Sequence, residues 1–254
     1  MNKLFLTFFI AALFIQASAQ TKLTMPMKPE MTEIWEPEVP VVIPGKSSEN
    51  LTMAPSDAII LFDGKDLSKW KDKNGEAAKW TVKNGAFTVK KGTGDISTRQ
   101  EFNDFQLHLE WLIPKNITGN GQSRGNSGIF LQGKYELQIL DSYNNRTYAN
   151  GQAGSIYKQS APLKNAMRPP GEWNVYDVIY TAPRFNDNGS LFSPASVTVL
   201  HNGVLIQNNF HILGNTEYIG IPKYSSHNKG PIVLQDHGDP SEAISFRNIW
   251  IREL

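Results

Sequence analysis

The chain of 254 residues carries 25 Lys and Arg against 24 Asp and Glu, with five His and no Cys. So even a balance offers no footprint for nucleic acid or an anionic membrane and points to a neutral or weakly charged ligand. Without Cys, the fold must rest on its core alone, which a domain of this length can supply.

In chain order, Lys3 precedes an apolar run from Leu4 to Ile15, and Ala17-Ser18-Ala19 ends it with small residues. That order reads as a secretory signal peptide, shorter than the roughly 20 apolar residues of a membrane span. It predicts a periplasmic or secreted chain that begins at Gln20, with no Cys after the run to hold a lipid and no other segment able to span a membrane. Residues 20–56 are rich in proline, from Pro26 to Pro55. Proline fixes φ and removes a donor, so this stretch reads as an extended lead-in that packs at most through Ile34 and Trp35 and is dispensable for folding.

Strand signals dominate from residue 57. Trp80–Val82 and Phe87–Val89 flank Asn84-Gly85, and Val197–Leu200 and Val204–Ile206 flank Asn202-Gly203. Asn-Gly supplies the positive φ values of a tight hairpin. Phe105–Trp111, Tyr135–Leu140, Trp173–Tyr180, Ile232–Leu234 and Ile249–Ile251 add further strands. No amphipathic helix of about twelve residues and no repeat stands out, so 57–254 reads as one all-β sandwich or jelly roll.

The polar faces of three strands share a habit. Phe105, Leu107, Leu109 and Trp111 alternate with Gln106, His108 and Glu110; Tyr135, Leu137 and Ile139 alternate with Glu136 and Gln138; Ile232 and Leu234 leave Gln235 and His237 outside. Carboxylates, amides and imidazoles suit a sugar, whose hydroxyls both donate and accept. A merely wet face favours Lys, Thr and Ser. Asp141 follows the second strand, and the loop GNGQSRGNSG (119–128) lacks a phosphate-loop ending and presents Arg124 and Asn126. Tyr143, Tyr157 and Trp173 are candidates for stacking on a ring. His201, His211, His227 and His237 are too scattered to define a metal site, which leaves a divalent metal open and no cofactor certain. Four Asn-x-Ser/Thr sites, at Asn50, Asn116, Asn145 and Asn188, read as chance in an Asn-rich chain.

Several blocks together resemble the 3-keto-disaccharide hydrolase domain family of exported Bacteroidota proteins. They are LFDGKDLSKW (61–70), GNSGIFLQGKYELQILDSY (125–143), GSIYKQSAP (154–162), PPGEWNVYDVIYTAPRF (169–185), VTVLHNGVLIQ (197–207) and GPIVLQDHG (230–238), followed by FRNIWIREL (246–254). The resemblance spans about residues 57–254 and implies a concanavalin-like jelly roll of two curved antiparallel sheets, with the site on a concave face. It also implies a carbohydrate substrate whose glucose-type ring already bears a ketone at C3, supplied by a partner oxidoreductase. Cleavage would proceed by removal of the C2 proton, expulsion of the C1 substituent and hydration. His237 is the natural base, because an imidazole titrates near neutrality. Glu136 would orient it or act as base itself if desolvated, with Asp141 at the rim. Arg124, Gln138 or Gln235 would hold the enolate oxygen, with Asn126, Glu110, Tyr157 and Arg247 as further substrate contacts; the alternation around Asn248 leaves the face of Arg247 unassigned. Two rivals stand beside this. One is a two-carboxylate glycosidase that pairs Glu136 with Glu110 or Asp141. The other is a binding module with no base.

Overall fold

In the computed structural model, which describes residues 26–46 and 53–254, the expected signal peptide and the start of the mature chain lie outside the described residues. Both Asn-Gly pairs turn the chain as expected: φ is 53° and 77° at Asn84 and Gly85, and 54° and 81° at Asn202 and Gly203. Positive φ at both central residues matches the right-handed twist of the flanking strands and closes each hairpin.

The strands are β1 (Ile59–Phe62), β2 (Trp70–Asp72), β3 (Thr81–Lys83), β4 (Ala86–Thr88), β5 (Ile96–Thr98), β6 (Phe105–Leu112), β7 (Ser127–Leu131) and β8 (Tyr135–Ile139). They continue as β9 (Trp173–Thr181), β10 (Arg184–Phe185), β11 (Leu191–Ser193), β12 (Ser196–His201), β13 (Val204–His211), β14 (Val233–Leu234) and β15 (Ser245–Glu253). An eight-stranded sheet runs β13-β12-β9-β6-β15-β4-β3, with β1 also on β15, and a five-stranded sheet runs β2-β5-β14-β7-β8. All of these pairings are antiparallel. The chain is a jelly-roll sandwich. Three short 3-10 turns are its helical elements among the described residues.

Alternation decides what lies between the sheets. Phe105, Leu107, Leu109 and Trp111 of β6 meet Ile129 and Leu131 of β7 and Tyr135, Leu137 and Ile139 of β8 in one buried core. Burying large apolar and aromatic side chains at about 25 cal/mol per Å² is the main stabilising term in a chain without disulfides. His201 belongs to this interior, stacked on Trp111, and burial together with Arg168 pushes its pKa down to about 3. It is a neutral core imidazole.

The lead-in is extended apart from a 3-10 turn at Pro29–Thr32, but it is not loose. Asn150 receives a bond from Ile34 N and donates to Thr32 O, Ala149 N donates to Ile34 O, and Val42 N bonds Asn165 O. Trp35 keeps 47% of its surface exposed, so backbone hydrogen bonds rather than apolar burial dock this segment. Bonds of that kind have no signature in hydropathy, so a Pro-rich stretch that reads as dispensable carries structural contacts.

Candidate functional site

Period two along β8 turns Glu136 and Gln138 away from the core, yet Glu136 keeps only 5% of its surface exposed. Its carboxylate lies over Gly128 of the neighbouring β7, where any Cβ would collide with Glu136 Oε1. A side chain there would push the Glu136 carboxyl out of its place. With its amide nitrogen turned toward acceptors, Gln138 donates to Ser127 O at 2.7 Å and to Glu136 Oε1 at 3.2 Å. No cation lies against the carboxylate among the described residues, and burial, helped by the negative charge of Asp95, pushes its pKa up to about 8. At neutral pH Glu136 is therefore largely a protonated acid that can donate.

Residues 154–157 extend the sheet along the free edge of β8: Gln138 N bonds Ser155 O, Gly154 N bonds Gln138 O, and Tyr157 N bonds Glu136 O. That pairing sets Tyr157 beside Glu136. The Tyr157 hydroxyl shares a 2.7 Å hydrogen bond with Tyr148, and burial pushes its pKa up to about 12. Behind this wall the buried Lys158 ammonium donates to Pro29 O at 2.7 Å and Tyr218 O at 3.0 Å, and lies 4.7 Å from the Tyr218 ring centre. Burial lowers the Lys158 pKa, which Glu33 of the lead-in opposes from 4.0 Å. The lead-in thus backs one wall of the site.

The opposite wall comes from the strand that follows Gly230. Gln235 N bonds Gly128 O, which continues the β14–β7 ladder and keeps Gln235 and His237 on the outer face. His237 is 35% exposed in its side chain, and its Nδ1 faces Asp239 Oδ2 at 3.6 Å. Burial raises the Asp239 pKa, but His237, Ser241 and Lys91 outweigh it and hold the carboxyl at about 2, a lasting anion behind the imidazole. Between the two walls lies a cavity of about 420 Å³. Glu136, Gln138, Tyr157, Asn126, Gln235 and His237 line it, together with Phe130, Thr216 and Tyr218. Asn126 Oδ1 and Gln235 Oε1 are buried there without a hydrogen-bond partner, ready to accept from a ligand's hydroxyls.

Six of the ten residues singled out from sequence thus meet in one cavity. The other four do not. Glu110 and Arg247 project from β6 and β15 on the outer face of the other sheet, across the whole core. Two strands of equal pattern can belong to different sheets, and alternation alone does not say which. Asp141 is fully buried in an ion pair with Arg124 at 2.7 Å and accepts from Tyr143 N, so this pair ties a loop rather than lining the cavity. The orienter of His237 is likewise Asp239, not Glu136. Sequence reasoning passed over Thr216, Tyr218 and Phe130, the first two on a loop without periodicity and the third in a strand to which no face had been assigned. The nearness of His237 and Asp239 in the chain was the one available signal. Among the described residues, no three His, Asp or Glu side chains converge as a metal-binding set.

A protein from Parabacteroides distasonis ATCC 8503, named provisionally as a glycosyl hydrolase, has a crystal structure similar to this chain. The two are 65% identical with a TM-score of 0.80, over 89% of this chain and 96% of that one. A second structure from the same organism, with the same provisional name, shares the fold at 24% identity and a TM-score of 0.54, over 78% of this chain and 94% of its own. No curated protein matches. The model of one family matches residues 57–252, all but the end of the described jelly roll, and the chain belongs to that family, the 3-keto-alpha-glucoside-1,2-lyase-like domains.

Proposed function

We propose that this chain is an exported, carbohydrate-cleaving enzyme acting on glycosides whose glucose-type ring carries a ketone at C3, delivered by an oxidoreductase. The observation that carries the reading is the meeting, in one cavity, of a desolvated Glu136 and an Asp239-backed His237. The ketone acidifies the C2 hydrogen. His237, with Nδ1 toward Asp239, presents Nε2 to take that proton. The electrons pass into an enolate, whose oxygen accepts a hydrogen bond from the Gln235 amide. Collapse of the enolate expels the C1 oxygen, and Glu136, protonated at neutral pH, gives that oxygen its proton. Water then adds at C1 while a solvent-derived proton returns to C2.

A two-carboxylate glycosidase fits less well. Glu136 is the one carboxylate among the described residues lining the cavity, Glu110 faces the other way, and Asp141 is committed to Arg124. The deciding experiment compares a 3-keto-glucoside with its unoxidised parent in heavy water. Cleavage of the keto substrate alone, with deuterium at C2 of the product, is expected. Equal cleavage of the parent, or a product without deuterium at C2, overturns the proposal.

A further inference from the structure

A second cavity, of about 460 Å³, opens on the same outer face of the five-stranded sheet. Strand register ties it to the first. Ser97 pairs with Val233, Val233 with Phe130, and Phe130 with Glu136, so these four residues form one row across β5, β14, β7 and β8. Paired residues share a face, and strands lie about 4.8 Å apart, so the row spans about 14 Å. Phe130 and Glu136 line the first cavity, while Ser97 and Val233 line the second. The Phe130–Val233 pair is the ridge between them.

The second cavity differs in charge. Lys73, Lys134 and Lys229 line it. Lys229 lies 3.7 Å from Glu253, while Lys73 and Lys134 have no ion-pair partner among the described residues. Lys134 lies in the turn between β7 and β8, two residues before Glu136 in the chain, and reaches the cavity from there. Asp95 is the one carboxylate on the lining among the described residues, and burial raises its pKa, which weakens its opposition to the lysines. His227 has both ring nitrogens engaged: Nε2 accepts from the Tyr135 hydroxyl and Nδ1 donates to Asn228 O, each at 2.7 Å. It is a wall rather than a ligand. Pro231 and Val233 add an apolar surface for the body of a ring.

We infer that this second cavity receives the portion of the glycoside that leaves from C1, and that it selects leaving portions bearing a negative charge, such as a sugar acid. Resting on the proposed function, the inference places the reacting ring over Glu136 and the leaving ring beyond the Phe130–Val233 ridge. The near-neutral chain conceals this local excess of ammonium groups.

The test compares 3-keto-glucosyl-glucuronate with 3-keto-glucosyl-glucose, using wild type and Lys73→Gln/Lys134→Gln, with 3-keto p-nitrophenyl glucoside as a substrate whose leaving group carries no carboxylate. Wild type should favour the glucuronate in kcat/KM by about three- to tenfold, the scale of two partly exposed charge contacts. Added salt should shrink the preference, and the double variant should abolish it while cleaving the p-nitrophenyl substrate normally. Equal use of both disaccharides by wild type, or a preference that survives in the variant, overturns the inference and leaves the proposed function standing. If no 3-keto substrate is cleaved, the proposed function has failed, and calorimetry with unoxidised glucosyl-glucuronate decides the cavity's charge preference by itself. Tighter binding by wild type than by the variant supports it; equal binding overturns it.

Discussion

Two buried carboxylates, Glu110 and Glu136, sit at equivalent places in the alternation of two strands on opposite faces of the sandwich, and their chemistry is opposite. Glu110, 3% exposed, meets Arg247 Nε at 2.6 Å and Asn248 Nδ2 at 2.9 Å, with His108 beside it. Burial pushes its pKa up, but His108, Asn248 and Arg247 prevail and hold it below the ordinary value. His108 in turn loses to burial and gains more from Asp177, 2.6 Å away, so its pKa ends raised. Arg247 packs over the Trp173 ring at 4.1 Å, and Trp250 stacks on His108. This network is closed and charged. Glu136 is as buried but has no such cation, and its pKa rises to about 8. Burial alone does not mark a reactive carboxyl. What matters is whether the fold also supplies its counter-charge.

That contrast can be broken from either side. The largest effect is expected at the open site: His237→Ala should lower turnover of a 3-keto-glucoside by about 10²–10⁴-fold, with a melting temperature near that of wild type. Its half-exposed imidazole faces the cavity, so its loss opens no apolar void. A variant with near-normal turnover removes His237 from the chemistry.

At the closed network the reverse is expected. Glu110→Ala should destabilise by about 3 kcal/mol, because it leaves Arg247 and His108 without their carboxylate, while the folded fraction keeps its kcat. Denaturant titration beside a kinetic assay checks this. A stable but inactive variant would return Glu110 to the site.

The third effect is a gain. Glu136 has an ordinary pKa of 4.5 when unfolded and about 8 when folded. The native state therefore holds the proton more tightly, and this group's stabilising share is complete below pH 4.5 and falls as pH rises through 8. Glu136→Gln should remove that slope: nearly as stable as wild type at pH 4.5, and more stable by about 4 kcal/mol at pH 8. Parallel stability curves for the two proteins between those pH values would show that Glu136 is not held protonated.

Much of this fold is legible in the chain because its signals are local. Two Asn-Gly turns set two hairpins, and alternation sorted Phe105, Leu107, Leu109 and Trp111 inward and Glu136, Gln138, Gln235 and His237 outward. Short strands such as β1, β2 and β5 escaped notice because three or four residues hold too little periodicity to read. By itself, then, the sequence determined which residues face away from the core, because side-chain direction in a strand depends on period two alone. Only the tertiary structure decided which outward residues share a surface. Sheet membership comes from pairings between distant strands, such as β14 on β7 and β15 on β6. It separated Glu110 from Glu136, put Asp141 with Arg124, and brought Thr216, Tyr218 and the lead-in against the cavity, through hydrogen bonds and burial that no local pattern encodes.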